Sequence, residues 1–156
     1  MAQHLAADLR AAGRPVLELD GDRLRAGLCR GLGFTEGDRA ENLRRAAEVA
    51  RLGVDSGLCV VAAFITPLAA NRATVAEIVG PDALSFVFVD APLDVCRQRD
   101  VKQLYAAAAR GEVQTFTGVS ARFEPADDAA LHLHSAHESV SDSATRLCTF
   151  ARRKIA

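Results

Sequence analysis

Paired cysteines, long apolar runs and an excess of either charge are all missing from this chain, and each absence closes a class of function. Cys29, Cys59, Cys96 and Cys148 are scattered with no CxxC spacing, which argues against a disulfide framework or a thiolate zinc site and leaves reduced thiols as the expectation. No apolar run approaches the length of a membrane span. The N-terminus sets His4, Asp8 and Arg10 inside an Ala/Leu pattern, which is not how a signal peptide reads. Acidic and basic residues nearly cancel, to a formal charge of -1, so no global field points to nucleic acid or membrane as partner. A cytoplasmic protein is expected. Internal repeats and low-complexity linkers are also missing, and 156 residues suit one domain, 1–156, with a sizeable core.

What is present is concentrated in Leu19 to Arg45, LDGDRLRAGLCRGLGFTEGDRAENLRR. The hydrophobic lead Val16, Leu17, Leu19 stops at Asp20, Gly21 and Asp22, which puts carboxylates at the C-terminal end of a strand, where open α/β sheets bind ligands. A competing reading has the same triplet simply ending a strand in a turn. Arg25, Arg30, Arg39, Arg44 and Arg45 follow closely, and guanidinium forks match phosphate or sulfate oxygens, so an anionic ligand is expected. Phe34, between Gly33 and Thr35, lies outside any apolar periodicity. It offers either a ring face to a flat ligand such as a purine or a core anchor for the loop.

The remaining pattern alternates. Helical spacing over Ala2 to Ala12 is closed by Gly13, and Pro15 to Leu19 reads as a strand. Thr35 with Asp38 gives a capping-box-like start to a helix reaching about Ser56. Leu58 to Phe64 is a continuous apolar run, as in a strand buried on both faces of a parallel sheet. A helix over Asn71 to Val79, a strand over Ser85 to Val89, a helix to about Arg99, a short strand at Leu131 to Leu133 and a closing helix over Val140 to Ala151 complete the order. This predicts a three-layer α/β domain with a mostly parallel sheet and right-handed crossovers. Between 100 and 122 the hydrophobic content drops, which suits a lid over a site. His132, His134 and His137 raise a metal-site reading, but a clear fourth ligand is lacking and an exposed strand edge accounts for them.

The run LDGDxxRxGLxxxLGFxxxDRxENxRR resembles adenylyl-sulfate kinase (APS kinase), including the kinase half of bifunctional PAPS synthetases. Ile65 to Pro67 (ITP), Phe88 to Tyr105 (FVDAPLDVCRQRDVKQLY) and Thr115 to Glu124 (TFTGVSARFE) extend the resemblance in family order. It implies a P-loop kinase-like fold and transfer of the γ-phosphoryl group of ATP, with Mg2+, to the 3′-hydroxyl of adenosine 5′-phosphosulfate (APS), giving PAPS. By the same pattern Asp22 is the carboxylate that accepts the hydroxyl proton, with Asp20 the other candidate for this or for magnesium. Asp22, Arg25, Arg39 and Asn42 then hold APS. Phe34 and Phe116 sandwich its adenine, and Ile65, Thr66, Lys102, Leu104 and Thr117 complete the site. Taken alone, Lys102 reads as a solvated lysine. Thr66 stands where the family often has Ser, sometimes described as a phosphoserine intermediate; direct in-line transfer favours a contact role. Arg97 and Arg99 are placed for ATP, or for pairing with Asp94 or Asp100. A homodimer and fusion to, or association with, ATP sulfurylase are also implied.

Departures are equally specific. The resemblance implies a strand and a GxxxxGK[ST] phosphate loop just before the first helix, and the sequence contains neither. The expectations are therefore that the native protein begins earlier, and that the fold as given lacks its first strand. The alternative is a catalytically inactive APS-binding or regulatory pseudo-kinase domain. Gln103 stands where the family usually has Gly, Ala106, Ala107 and Ala109 replace common cations with Arg110 displaced by one, and Ala76 replaces a second Arg after Arg72.

Overall fold

Neighbouring residues of a strand point to opposite faces, and in the computed structural model, which describes residues 1–100, 103–111 and 116–155, that alternation sorts the helices into two layers. β1 (Val16–Asp20) pairs in parallel with β2 (Cys59–Ala63), from Val16 opposite Cys59 to Asp20 opposite Ala63. β3 (Val87–Asp90) pairs in parallel with β4 (Leu131–His134), from Val87 opposite Leu131 to Asp90 opposite His134. The two ladders are separate two-stranded sheets.

One helical layer holds them together. Leu5, Ala6 and Leu9 of α1 (Ala2–Ala11) and Leu147 of α7 (Val140–Lys154) form one buried cluster with Val61 of β2 and Leu133 of β4. Because that cluster draws on both ladders, α1 and α7 bridge them. On the opposite face Leu17, Leu19 and Val60 pack with Ala47 and Ala50 of α3 (Glu36–Asp55) and Val79 of α4 (Ala69–Val79). The three-layer α/β arrangement is thus the one expected, with parallel strands.

The capping signal at the start of α3 acts locally as read: Thr35 Oγ1 accepts from the Asp38 amide at 3.1 Å. Ser139 does the same for Asp142 in α7, a cap not read from the sequence. Two short helices were not expected. α2 (Gly21–Ala26) forms because Asp20 Oδ1 accepts from the amides of Asp22 and Arg23, so the DGD run is a helix start rather than an open turn. After α5 (Leu93–Arg99), α6 (Leu104–Ala109) starts where both Asp100 oxygens accept amides, from Tyr105 and Ala106; its alanines are strong helix formers. Gln103 just before it has φ 54, ψ 25, the left-handed region that favours glycine. α4 begins two residues earlier than expected. Its cap residue Leu68 has no side-chain acceptor, and the Ala69 amide is instead taken by distant Glu124 at 2.7 Å.

Among the described residues no helix is long and apolar enough to cross a membrane, and no group of three or more His, Cys, Asp or Glu is placed to hold a metal. His132 lies edge-on to Phe88 at 5.7 Å and His134 Nδ1 is 3.5 Å from Asp90. All four cysteines are free.

Small residues let α3 approach the sheet. A Cβ on Gly53 would lie 2.9 Å from Val60 Cγ2 and 3.0 Å from Leu17 Cδ2, whereas one on Gly37 would meet nothing within 4 Å. Gly53→Ala should lower stability by about 1 kcal/mol, because overpacking of about 1–3 kcal/mol outweighs a helix-propensity gain of about 1 kcal/mol. Gly37→Ala should raise it by about 0.5 kcal/mol. Urea unfolding checks both, and two shifts of the same sign would refute the packing argument.

Candidate functional site

The carboxyl ends of β1 and β2 lie side by side, and the site is built outward from them. Asp20 is exposed and its Oδ1 is engaged in capping α2, while Asp22 sits exposed in the first turn of that helix. Beyond α2 the chain turns through residues 27–34 to reach α3. This irregular loop is anchored from inside by Cys29, which is fully buried, and from outside by arginines. Arg25 donates to the carbonyls of Leu32 (3.3 Å) and Gly33 (2.8 Å), Arg39 Nε to that of Phe34 (3.0 Å), and Arg45 to that of Leu28 (3.1 Å).

The result is an unusual presentation of one ring. Phe34 is 56% exposed, so it does not anchor the core; Cys29 has that role. The Arg25 guanidinium carbon stands 4.4 Å from the Phe34 ring centroid and that of Arg39 stands 5.4 Å away, both within cation–π range. Two like charges are therefore gathered around one aromatic. Partial burial and the neighbouring Arg25 charge together lower the Arg39 pKa from its ordinary value. A bound anion relieves that repulsion, and guanidinium forks suit phosphate or sulfate.

Buried acceptors lie on residues expected at the same site. Asn42, one helical turn from Arg39, is 4% exposed, and its Oδ1 has no hydrogen-bond partner. The Thr117 hydroxyl is likewise buried and unpartnered. Among the described residues these are the buried side-chain polar atoms left without a partner, each costing about 1–3 kcal/mol until a partner satisfies it.

The second wall follows β2. Ile65 is 61% exposed and Thr66 half-buried, before the buried pair Pro67 and Leu68. Phe116 is half-buried, its ring edge-on to Tyr105 at 4.7 Å, and Leu104 opens α6 at 42% exposure. Phe34 and Phe116 thus meet different neighbours, arginines for the first and a tyrosine for the second. Arg99 donates to the Ser135 carbonyl at 2.7 Å rather than to Asp94 or Asp100, and Arg97 is exposed in the last turn of α5. Lys102 lies outside the described residues.

Sequence reasoning singled out neither Arg72 nor Glu124 for the site. Arg72 is buried at 8% exposure, and among the described residues its side chain donates to main-chain carbonyls, those of Thr66, Glu124 and Pro125. The available signal was a charged residue on the inward face of α4, beside equally buried Asn71.

The protein-family model described as Adenylylsulphate kinase matches residues 1–134. The adenylyl-sulfate kinase of Bacteroides thetaiotaomicron is 46% identical over 151 residues, 97% of this chain and 75% of the relative. The bifunctional enzyme NodQ of Rhizobium sp. (strain N33) is 46% identical over 134 residues, 86% of this chain and 21% of NodQ. Among solved structures, the APS kinase CysC of Mycobacterium tuberculosis, in complex with AMPPNP and APS, aligns with a TM-score of 0.91 at 38% identity, covering 97% of this chain and 88% of that one. A catalytically silent APS-binding domain, the alternative raised above, gains no support from these relatives.

The surface side of α3 carries a titratable brace for the loop. Glu41 accepts from Arg44 and Arg45, and these bonds lower its pKa from 4.5 to about 2. A depressed carboxylate stabilises the fold above its unfolded pKa and loses that contribution as pH falls through the folded value. Unfolding measured between pH 5 and pH 2 should show a steeper acid loss for the wild type than for Glu41→Gln. Superimposable pH profiles would contradict the brace.

Proposed function

Because the chain belongs to the adenylylsulphate kinase family of transferases, we propose that it transfers the γ-phosphoryl group of ATP to the 3′-hydroxyl of APS, giving PAPS and ADP. The observation that carries this reading is the gathering of Arg25 and Arg39 at the exposed Phe34 ring, with Asn42 Oδ1 buried and unpartnered one turn along α3. A flat base and a doubly anionic tail are what such a cradle suits.

In this reading Arg25, Arg39 and Asn42 hold the phosphosulfate. Phe34 and Phe116 flank the adenine, while Ile65, Thr66, Leu104, Thr117 and Lys102 complete the pocket under a lid at about 100–122. The 3′-oxygen attacks the γ-phosphorus, the bond to the bridging oxygen of ADP breaks, and the hydroxyl proton passes to a carboxylate. Asp22 takes that proton. Asp20 is the poorer candidate because one of its oxygens already caps α2. Thr66 serves by contact, and its main-chain oxygen is held by Arg72.

The ATP assignment is supported by the Mycobacterium tuberculosis APS kinase structure, a complex with AMPPNP and APS, and Arg97 and Arg99 are assigned to that side. Mg2+ enters with ATP as part of the co-substrate. The described residues offer no three-ligand cluster for a resident ion. A homodimer, and a link to ATP sulfurylase, belong to the same reading; the likeness to part of a bifunctional relative supports only the coupling to a second activity.

Chromatographic detection of PAPS from ATP, Mg2+ and APS with the full-length protein tests the reaction, and its absence would refute it. Asp22→Asn should lower turnover by about 100-fold or more with APS affinity nearly intact; unchanged turnover would remove Asp22 from the proton-acceptor role. Phe34→Ala should weaken APS about tenfold, and equal affinity would mean that the ring does not contact the base.

A further inference from the structure

Two stretches that the proposed site draws on, far apart in sequence, are fastened by one closed set of bonds. Arg72 of α4 sends Nη1 to the carbonyls of Thr66 (3.3 Å) and Glu124 (3.0 Å), and Nη2 to that of Pro125 (3.1 Å). Glu124 answers in the other direction: its amide donates to the Pro67 carbonyl at 2.7 Å and its Oε2 accepts from the Ala69 amide, also at 2.7 Å. Arg122 Nη2 meets the remaining carboxylate oxygen at 2.8 Å. Residues 66–69 and 124–125 therefore form a single unit despite their separation along the chain.

We propose that Arg72 and Glu124 are positioning residues for APS, setting the distance between the wall that follows β2 at Ile65 and Thr66 and the segment that carries Phe116 and Thr117. The inference rests on the reading of the site given above. Neither residue is assigned to touch substrate. Each acts through main chain that does.

The chemistry explains the residue types. A buried guanidinium presents a planar fork that reaches carbonyls on both segments at once, which the single ammonium of lysine cannot reproduce. The carboxylate of Glu124 replaces the missing side-chain cap of α4, so the helix start that follows Thr66 is completed only when the distant segment is docked. Docking and helix capping are thus the same event. A contact residue held through such a brace loses its placement when the brace is cut, and small displacements weaken binding disproportionately.

Calorimetric titration of APS, with the KM for ATP measured alongside, tests this on the full-length protein. Glu124 is partly exposed, with 36% of its side-chain surface accessible, so Glu124→Ala should fold. It should weaken APS about tenfold and leave the KM for ATP within about twofold. Glu124→Gln, which keeps an acceptor for the Ala69 amide, should recover part of the loss. Arg72→Lys should weaken APS as much as Glu124→Ala, and the double variant no more than either, because both cut one unit. Glu124→Ala that binds APS like the wild type, with only its melting temperature lowered, would overturn the positioning role. Wild-type protein that binds no APS would instead refute the functional reading and, with it, this inference.

Discussion

Arg25, Arg39 and Arg45 each donate to main-chain carbonyls of the segment joining α2 to α3, Arg72 to those on either side of the proposed substrate site, and Arg51 to that of Val79 at the end of α4. Irregular backbone carries carbonyls that no ladder satisfies, and something must hold them. Disulfides are not available, since every cysteine is free, and aromatics make up 5% of the residues. The guanidinium fork fills that gap because it binds two acceptors at fixed geometry. The same side chains that shape the loops therefore also supply the positive charge of the candidate site.

That double use has an electrostatic consequence. Arg25 and Arg39 are held at one ring by their carbonyl bonds, whatever their mutual repulsion. Holding like charges together before the ligand arrives is preorganisation: an anionic ligand meets cations already in place, with little side-chain ordering left to do. The unpartnered Asn42 Oδ1 and Thr117 Oγ1 fit the same logic, since a polar atom kept buried and unsatisfied gains most when a ligand supplies its partner. Stability elsewhere, in the clusters around Leu133 and around Ala47, offsets the cost.

Much of the fold was legible because it depends on local pattern. The apolar run around Val60 and Val61 announced a doubly covered strand, and Thr35 with Asp38 announced the start of α3. The arginine-rich stretch after β1 pointed to an anionic ligand, which is the reading proposed for Arg25 and Arg39. What escaped depends on partners far along the chain or on geometry that a spacing cannot carry. α2 exists because Asp20 turns its carboxylate onto following amides, and nothing in the spelling of DGD separates that from a simple turn. The early start of α4 needs Glu124. Phe34 could be read either way until its exposure was known. Gln103 occupies a left-handed conformation, at a position already conspicuous for not being glycine.

In the proposed reading, paired guanidiniums beside an exposed ring recognise the anionic tail of a nucleotide. The most direct measurement compares the affinities of APS and unmodified adenosine for the full-length protein at low and at high salt. APS should bind tighter by at least about 100-fold at low salt, from charge-assisted bonds to the arginines, with the gap narrowing as salt screens them. Equal affinities for the two compounds at both salt concentrations would contradict it.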